Sequence, residues 1–570
     1  MGALSIALLT ACPAPDAAAP LAETAQKLPV FVPEALPTEE ELAARAAEAA
    51  RLAEEARDAG RLAEAERIRA AEEARIAAER AAFEAAYPLH GVVYHFVAQV
   101  FGEPDGERPI GYMRRGSQFR TKAAVQGREC RAWHEVPGGG FVCSGRGFMI
   151  GETPQTFEPS PNPAALEDAL PYLYAYTRRD VVPQYFRLPT MTEETEAEEA
   201  IRDLASRERA RRRSEEAAAR EASREANPAP DAGSDTEDSG ARGESGTATE
   251  EDGASPTQAE GEAGAERASA VEAPAPPGTD AETDADPAEA AEEPDLPDYL
   301  RTRMLRGFYV SLDQEETSEA GRRFYRTVRG GYVRATELTP NEPPESRGVV
   351  LGGDWTLPVG IVYRTGAHSL RREPATGRMR DRGTLDRHSA LRIADDNLVY
   401  RDRRYVVSRD GAIVRESSLR IVRQRAVPPG VPSGAKWIHV DLSDQYLVAY
   451  EGETPVFATL TSTGKEGFET PLGLYRIQSK HVSTTMDDDS NPEGAYSIED
   501  VPWTMYFHGN FAIHGAFWHY SFGRVRSHGC VNLAPADARW MFSWSTPTLP
   551  AAWHGMFAGP RDGTFVFIEE

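Results

Sequence analysis

The chain has 570 residues, enough for several domains, and its Lys+Arg total of 63 against 90 Asp+Glu leaves a formal net charge of −27. That balance argues against nucleic acid as a partner, because phosphate backbones attract basic surfaces. No stretch beyond the first few residues is long and apolar enough to suggest a bilayer-spanning helix.

In chain order, Leu4 to Leu9 is a short apolar run. The residues Leu9-Thr10-Ala11-Cys12 that close it resemble the lipobox of bacterial lipoproteins. The resemblance implies lipidation at Cys12 and a periplasmic, lipid-anchored place in the cell envelope, with the anchor as the only membrane contact. Residues 1–37 then read as leader and Pro/Ala-rich tether. Residues 38–87 are rich in Ala, Glu and Arg, with Gly60 as the only break. Thr38 followed by Glu41 forms a capping-box start. One long solvated helix is expected, extending on the order of 70 Å at ~1.5 Å per residue.

Residues 88–190 change character. Gly91 to Ala98, Pro109 to Ser117, Cys130 to Val136 and Gly140 to Cys143 read as short strands between glycine turns, the pattern of a small β-barrel. The blocks Pro109-Ile110-Gly111-Tyr112 and Trp133-His134-Glu135-Val136 look like a bacterial SH3-like domain. Trp133 and Tyr112 are read with equal weight as groove-lining or core aromatics. Cys130 and Cys143, thirteen apart around a Gly-rich turn, suit a disulfide in an oxidising compartment. Residues 191–298 form an acidic low-complexity linker, helical at first and then too poor in apolar residues to build a core. In 299–430 strand signals return. Arg323 to Val333 repeats the aromatic strand, Gly-Gly turn and aromatic-Val pattern, so one or two more SH3-like modules are expected.

Residues 433–570 begin with Trp437 to Leu442 and Gln445 to Tyr450, alternating runs that predict a hairpin. Further strands follow, and a helix is expected from Pro535. The densest chemistry lies at Ile513-His514-Gly515 and Ser527-His528-Gly529-Cys530-Val531-Asn532. A cysteine is nucleophilic as thiolate, and a nearby imidazole is the usual means of making one near neutral pH. Gly529 allows a turn whose N–H groups point at a developing oxyanion. Ser527 and Asn532 supply local hydrogen bonds for that turn. His514, His519, His528 and Cys530 are each possible zinc ligands, but no HExxH, CxxC pair or obvious carboxylate joins them. A papain-like arrangement usually has the cysteine first, whereas His514 precedes Cys530. No metal or cofactor is expected.

These blocks, with Thr461-Ser462-Thr463-Gly464-Lys465 and Thr470 to Tyr475 upstream, resemble the L,D-transpeptidase catalytic domain of the YkuD-type family. The resemblance implies a β-sandwich-like domain with Cys530 as nucleophile and His514 as base, its other ring nitrogen bonded to the Gly515 carbonyl. It implies structural roles at the oxyanion hole for Ser527, His528, Gly529 and Asn532, and substrate contact by Trp518 and Tyr506. His519 and His508 fall outside the motif and are read as surface or packing residues. The implied substrates are peptidoglycan stem peptides, cross-linked to an amine acceptor that includes a wall-attached protein. Hydrolytic trimming by water as an L,D-carboxypeptidase and a non-catalytic wall-binding scaffold are the alternatives. The whole is thus expected to be a mainly β, multidomain chain: a β-sandwich-like transpeptidase domain, SH3-like barrels, a long N-terminal helix and a disordered acidic linker.

Overall fold

The structure, a computed structural model, describes residues 39–58, 62–157, 160–179, 181–226, 297–488, 496–559 and 561–570. Cys12, the tether 1–37 and linker residues 227–296 lie outside them. The chain divides into two compact units, Met1–Ala197 with Leu296–Glu570, and Glu198–Asp295. In the second, the described residues are the later turns of helix Met191–Ala226. No helix among the described residues is long and apolar enough to cross a membrane.

The Ala/Glu/Arg stretch forms two helices, Glu39–Asp58 and Leu62–Ala86, rather than one. Arg45 lies 3.9 Å from Glu72 and 3.6 Å from Glu79, so the second helix returns alongside the first. This replaces the expected extended rod. Gly60, the weakest helix former in the stretch, falls in the interval between them, outside the described residues. Helix Met191–Ala226 opens with a reciprocal cap. The Glu193 N–H donates to Thr190 Oγ1 at 3.3 Å, and the Thr190 N–H to Glu193 Oε2 at 2.9 Å.

The first β region runs from Leu89–Val93 to Phe148–Gly151 in short strands around Val93, Val100, Met113, Val136 and Val142. Cys130 and Cys143 are joined as a disulfide, with Cα atoms 6.1 Å apart. Trp133 is buried and its indole N–H donates to Asp105 Oδ1 at 3.0 Å. Tyr112 is held at its hydroxyl by His481 Nδ1 at 2.9 Å. Both aromatics are therefore structural, and the groove-lining reading is set aside.

The expected boundary at 190 cuts through a sheet. Leu173–Thr177 pairs with Tyr309–Thr317 and with Leu338–Pro340, and Val182–Tyr185 pairs with Leu300–Met304. Ala175 and Val182 share a core with Met304, Val310, Leu312 and Val333. Strands from both sides of the low-complexity segment thus build one module, because neither half alone covers these apolar side chains. A seven-stranded sheet between Val359–Val362 and Leu419–Val422 has its own core of Val362, Ala367, Ile393, Val406 and Val414.

The C-terminal region is built on two sheets and one helix. Strands Lys436–Asp441 and Tyr446–Glu451 form the expected hairpin, in register from Lys436↔Glu451 to Asp441↔Tyr446. They continue into a six-stranded sheet with Thr454–Leu460, Phe565–Glu569 and Gly473–Arg476. The other sheet contains Ser479–Asp488, Tyr496–His508, Phe511–Gly515 and Val531–Leu533. Helix Pro535–Trp544 follows, with proline in its first turn where the missing N–H costs nothing. Ile438, Leu447 and Phe457 of the first sheet, Trp503, Met505 and Ile513 of the second, and Met541 and Phe542 of the helix close one core.

The upstream regions are fused to this domain. Tyr112 pairs with Gly555 and Tyr309 with Ile498. Behind them Arg114 makes a buried ion pair with Asp500, which also accepts from the Ser311 hydroxyl at 2.6 Å and the Ser483 hydroxyl at 2.9 Å. Burial pushes the Asp500 carboxyl up, but Arg114 and the Ser311 hydroxyl outweigh it and hold it at about 2.

Candidate functional site

Strands Phe511–Gly515 and Val531–Leu533 lie parallel and adjacent, with His514 opposite Asn532 and Ile513 opposite Val531. Cys530 immediately precedes the second strand. Cys530 thus lies two residues before Asn532, which stands opposite His514.

The cysteine turn is held from both sides. Ser527 Oγ donates to the Cys530 carbonyl at 2.5 Å and accepts from the Gly529 N–H at 3.1 Å. Thr470 Oγ1 donates to the Gly529 carbonyl at 2.8 Å and accepts from the Gly464 N–H at 2.9 Å. The Ser527 N–H donates to the Thr463 carbonyl at 3.0 Å, and its carbonyl accepts from the Lys465 N–H at 3.0 Å. The two upstream motifs therefore clamp the turn, which their separation in sequence did not reveal. Gly529 has φ +111°, and an added Cβ would stand 2.5 Å from the Phe511 ring. Its N–H donates to Ser527 Oγ. His528 is exposed and packs edge-on to Phe468, with ring centroids 4.5 Å apart.

Cys530 is half-buried; its thiol donates to the Asn510 carbonyl at 3.7 Å. Burial pushes the thiol up to about 11, opposed by the Ala512 N–H. His514 is buried, its Nδ1–H donating to the Gly515 carbonyl at 3.2 Å, and burial lowers the imidazole to about 4. Both shifts have one cause, desolvation, and both favour the uncharged form. Each therefore rests uncharged, the cysteine as a thiol and the histidine as an imidazole whose Nε2 carries the free lone pair.

Trp518 stacks on His514 with ring centroids 5.7 Å apart and 26° between planes. It is half-buried and also meets Tyr309 at 6.4 Å. Tyr506 is opposite Ala512 on the neighbouring strand, but its described ring contact is His481 at 5.6 Å. Thus Trp518 joins the His514 wall, and Tyr506 stands on the adjoining strand opposite Ala512.

His519 is the residue that motif reading passed over. It is buried, accepts from the Ser521 N–H through Nδ1 at 3.1 Å, and lies 3.0 Å from the Asn532 amide through Nε2. Burial and the charge of Arg526 lower it to about 3, so it is neutral. With Nδ1 accepting, Nε2 bears the proton. That proton calls for an oxygen, and Asn532 Oδ1 has no partner in the orientation with its nitrogen toward the ring. Turning the amide gives that proton an oxygen, so His519 and Asn532 form one buried polar pair opposite His514. His508 is exposed, as expected for a surface residue.

Over 124 residues the chain is 26% identical to L,D-transpeptidase 2 of Mycobacterium tuberculosis, covering 18% of this chain and 30% of that protein. The chain therefore spans less than a third of that relative. Among solved structures it is similar to an L,D-transpeptidase from Stackebrandtia nassauensis, at 22% identity over 26% of this chain and 58% of that one, TM-score 0.19. It is also similar to the catalytic domain of an E. faecium L,D-transpeptidase acylated by ertapenem, at 23% identity over 25% of this chain and 100% of that one, TM-score 0.20. Residues 435–568 match the YkuD family, the L,D-transpeptidase catalytic domain.

Proposed function

We propose that the protein is a peptidoglycan L,D-transpeptidase working through an acyl-enzyme on Cys530. The observation that supports this reading is the parallel register of Phe511–Gly515 on Val531–Leu533, which sets His514 opposite Asn532, two residues after Cys530.

As the thiol attacks the carbonyl preceding a terminal D-residue of a stem peptide, its proton passes to His514 Nε2. The S–C bond forms and the carbonyl electrons move to oxygen. The Cys530 N–H is the backbone donor left for that oxyanion once Ser527 holds the Gly529 amide. The imidazolium then protonates the departing amine, the C–N bond breaks and a thioester remains. An acceptor amine attacks the thioester, gives its proton back through His514 and restores the thiol. Because the pair rests neutral, the thiolate arises only with substrate in place. Gly515 and Trp518 hold the ring for both transfers.

The acceptor is an amine on a second stem peptide or on a wall-attached protein; water in its stead gives carboxypeptidase cleavage. An envelope location, with Cys12 as the lipid-bearing residue and the upstream β modules as wall-binding SH3-like elements, completes the proposal. The Cys130–Cys143 disulfide agrees with an oxidising compartment.

Incubation with tetrapeptide-bearing muropeptides tests the activity. Cross-linked dimers support transfer and trimmed monomers support hydrolysis. Absence of both products, together with no covalent adduct from a carbapenem on folded protein, would favour the scaffold reading. An adduct must disappear in Cys530→Ala.

A further inference from the structure

The loop that follows strand Phe511–Gly515 bears Trp518, the residue stacked on His514. Its own domain fixes the loop at both ends. The Ala516 N–H donates to the Leu533 carbonyl at 2.8 Å, and the Ser521 carbonyl accepts from the Ser462 hydroxyl at 2.9 Å. Between those ends, Phe517, Trp518 and Tyr520 are met from far upstream. Phe517, fully buried, lies between Tyr174, stacked with ring centroids 4.0 Å apart, and Tyr309, edge-on at 5.4 Å. The Phe517 carbonyl accepts from Asn341 Nδ2 at 3.0 Å, and the Tyr520 hydroxyl donates to the Glu342 carbonyl at 2.7 Å. Tyr309 also meets Trp518, at 6.4 Å, so its ring touches both Phe517 and the residue that stacks on His514.

Tyr174, Tyr309, Asn341 and Glu342 all precede the 435–568 stretch that matches the catalytic family. They belong to the module built by strands Leu173–Thr177, Tyr309–Thr317 and Leu338–Pro340 and the residues that follow it. The backbone of Tyr309 is pinned on two sides, opposite Tyr176 and opposite Ile498 of the C-terminal domain. A change confined to its side chain therefore leaves the strand pairing in place. The three rings Tyr309, Trp518 and His514 follow one another, and the last is buried. Packed aromatic rings restrict one another's rotation and keep water out, and the neutral imidazole of His514 owes its state to that burial.

We propose that Tyr309 is a positioning residue for His514: acting through Trp518 and Phe517, the upstream β module completes the wall that orients the imidazole and excludes water from it. The proposal rests on the reading of His514 as the base, and makes the working site larger than the family-matching domain.

The test is NMR titration of the His514 ring in full-length Cys530→Ala protein containing isotope-labelled histidine, with His514→Gln to assign the signal. Tyr309→Ala opens the wall to water, so the midpoint should rise from about 4 toward about 6.5, by at least about one unit. Tyr309→Phe keeps the ring and should leave the midpoint in place. In protein that retains its thiol, the acid limb of carbapenem acylation should move the same way in Tyr309→Ala. Its rate near neutral pH should fall about tenfold or more, while Tyr309→Phe stays within about threefold. Thermal melts establish folding, and if Tyr309→Ala is not folded, Tyr309→Leu, which restores bulk without the ring, decides. An unmoved His514 midpoint, an unchanged acylation rate in the folded variant, or an equal loss in Tyr309→Phe overturns the proposal. The ring titration needs no activity. If the parent protein forms no adduct, the transpeptidase reading fails while the titration still decides the role of Tyr309.

Discussion

At the scale of residues, the pair at the centre of the proposal is shaped by desolvation rather than by mutual charge. His514 is lowered to about 4, and its basic form persists until the pH falls through that value. Were the imidazole solvated, the base would already be lost near its ordinary pKa of about 6.5. The acid limb of kcat/KM for acylation should therefore centre nearer 4 than 6.5. Carbapenem acylation rates measured from pH 3 to pH 8 would show it, and an inflection at about 6.5 would contradict a buried, neutral resting imidazole. Gly529 invites a second substitution. Gly529→Ala meets both a positive φ and the Phe511 ring, so it should cost at least about 1–3 kcal/mol of stability. A lowered urea midpoint is the readout. His519 was invisible at this scale in sequence, since nothing local marks a histidine whose partner, Asn532, is thirteen residues away.

Among elements, the helix after the cysteine depends on a residue from another strand. Lys480, fully buried on Ser479–Asp488, sends Nζ to the Phe542 carbonyl and, at 2.8 Å, to that of Ser545. These carbonyls lie at the C-terminal end of Pro535–Trp544, where donors and positive charge are favourable. Burial, aided by Lys436, lowers the ammonium pKa well below its usual value, so the site holds this charge reluctantly. Lys480→Met removes the charge but leaves two buried carbonyls short of a donor. A loss of about 1–3 kcal/mol is expected by denaturant unfolding. The strands were largely legible because alternation of apolar and polar residues reports a half-buried sheet. The two N-terminal helices were read as one because composition reports helicity and not the place where a helix turns back.

For the molecule as a whole, pairing across the low-complexity segment has a consequence for how the protein can be cut. Strands Leu173–Thr177 and Val182–Tyr185 find their partners only after residue 299. Pieces 1–226 and 297–570, expressed together, should co-purify as one complex. Expressed alone, 297–570 should aggregate, because Val310, Leu312 and Val333 lose the cover of Ala175 and Val182. Size-exclusion chromatography of the two preparations distinguishes this from independent modules, which would elute separately.

Sequence by itself marked the candidate site, a cysteine, a histidine and a glycine turn in one short stretch, together with the strand periodicity around them. It could do so because nucleophile, turn and strand signals are local. Tertiary structure alone decided that Thr470 and Thr463 clamp the turn, that His519 lies against Asn532, and that Arg114, Ser311 and Asp500 weld three regions together. Those contacts join positions from thirteen to hundreds of residues apart. Such contacts are selected by packing and by the need to satisfy every buried polar group, and leave no trace in local pattern.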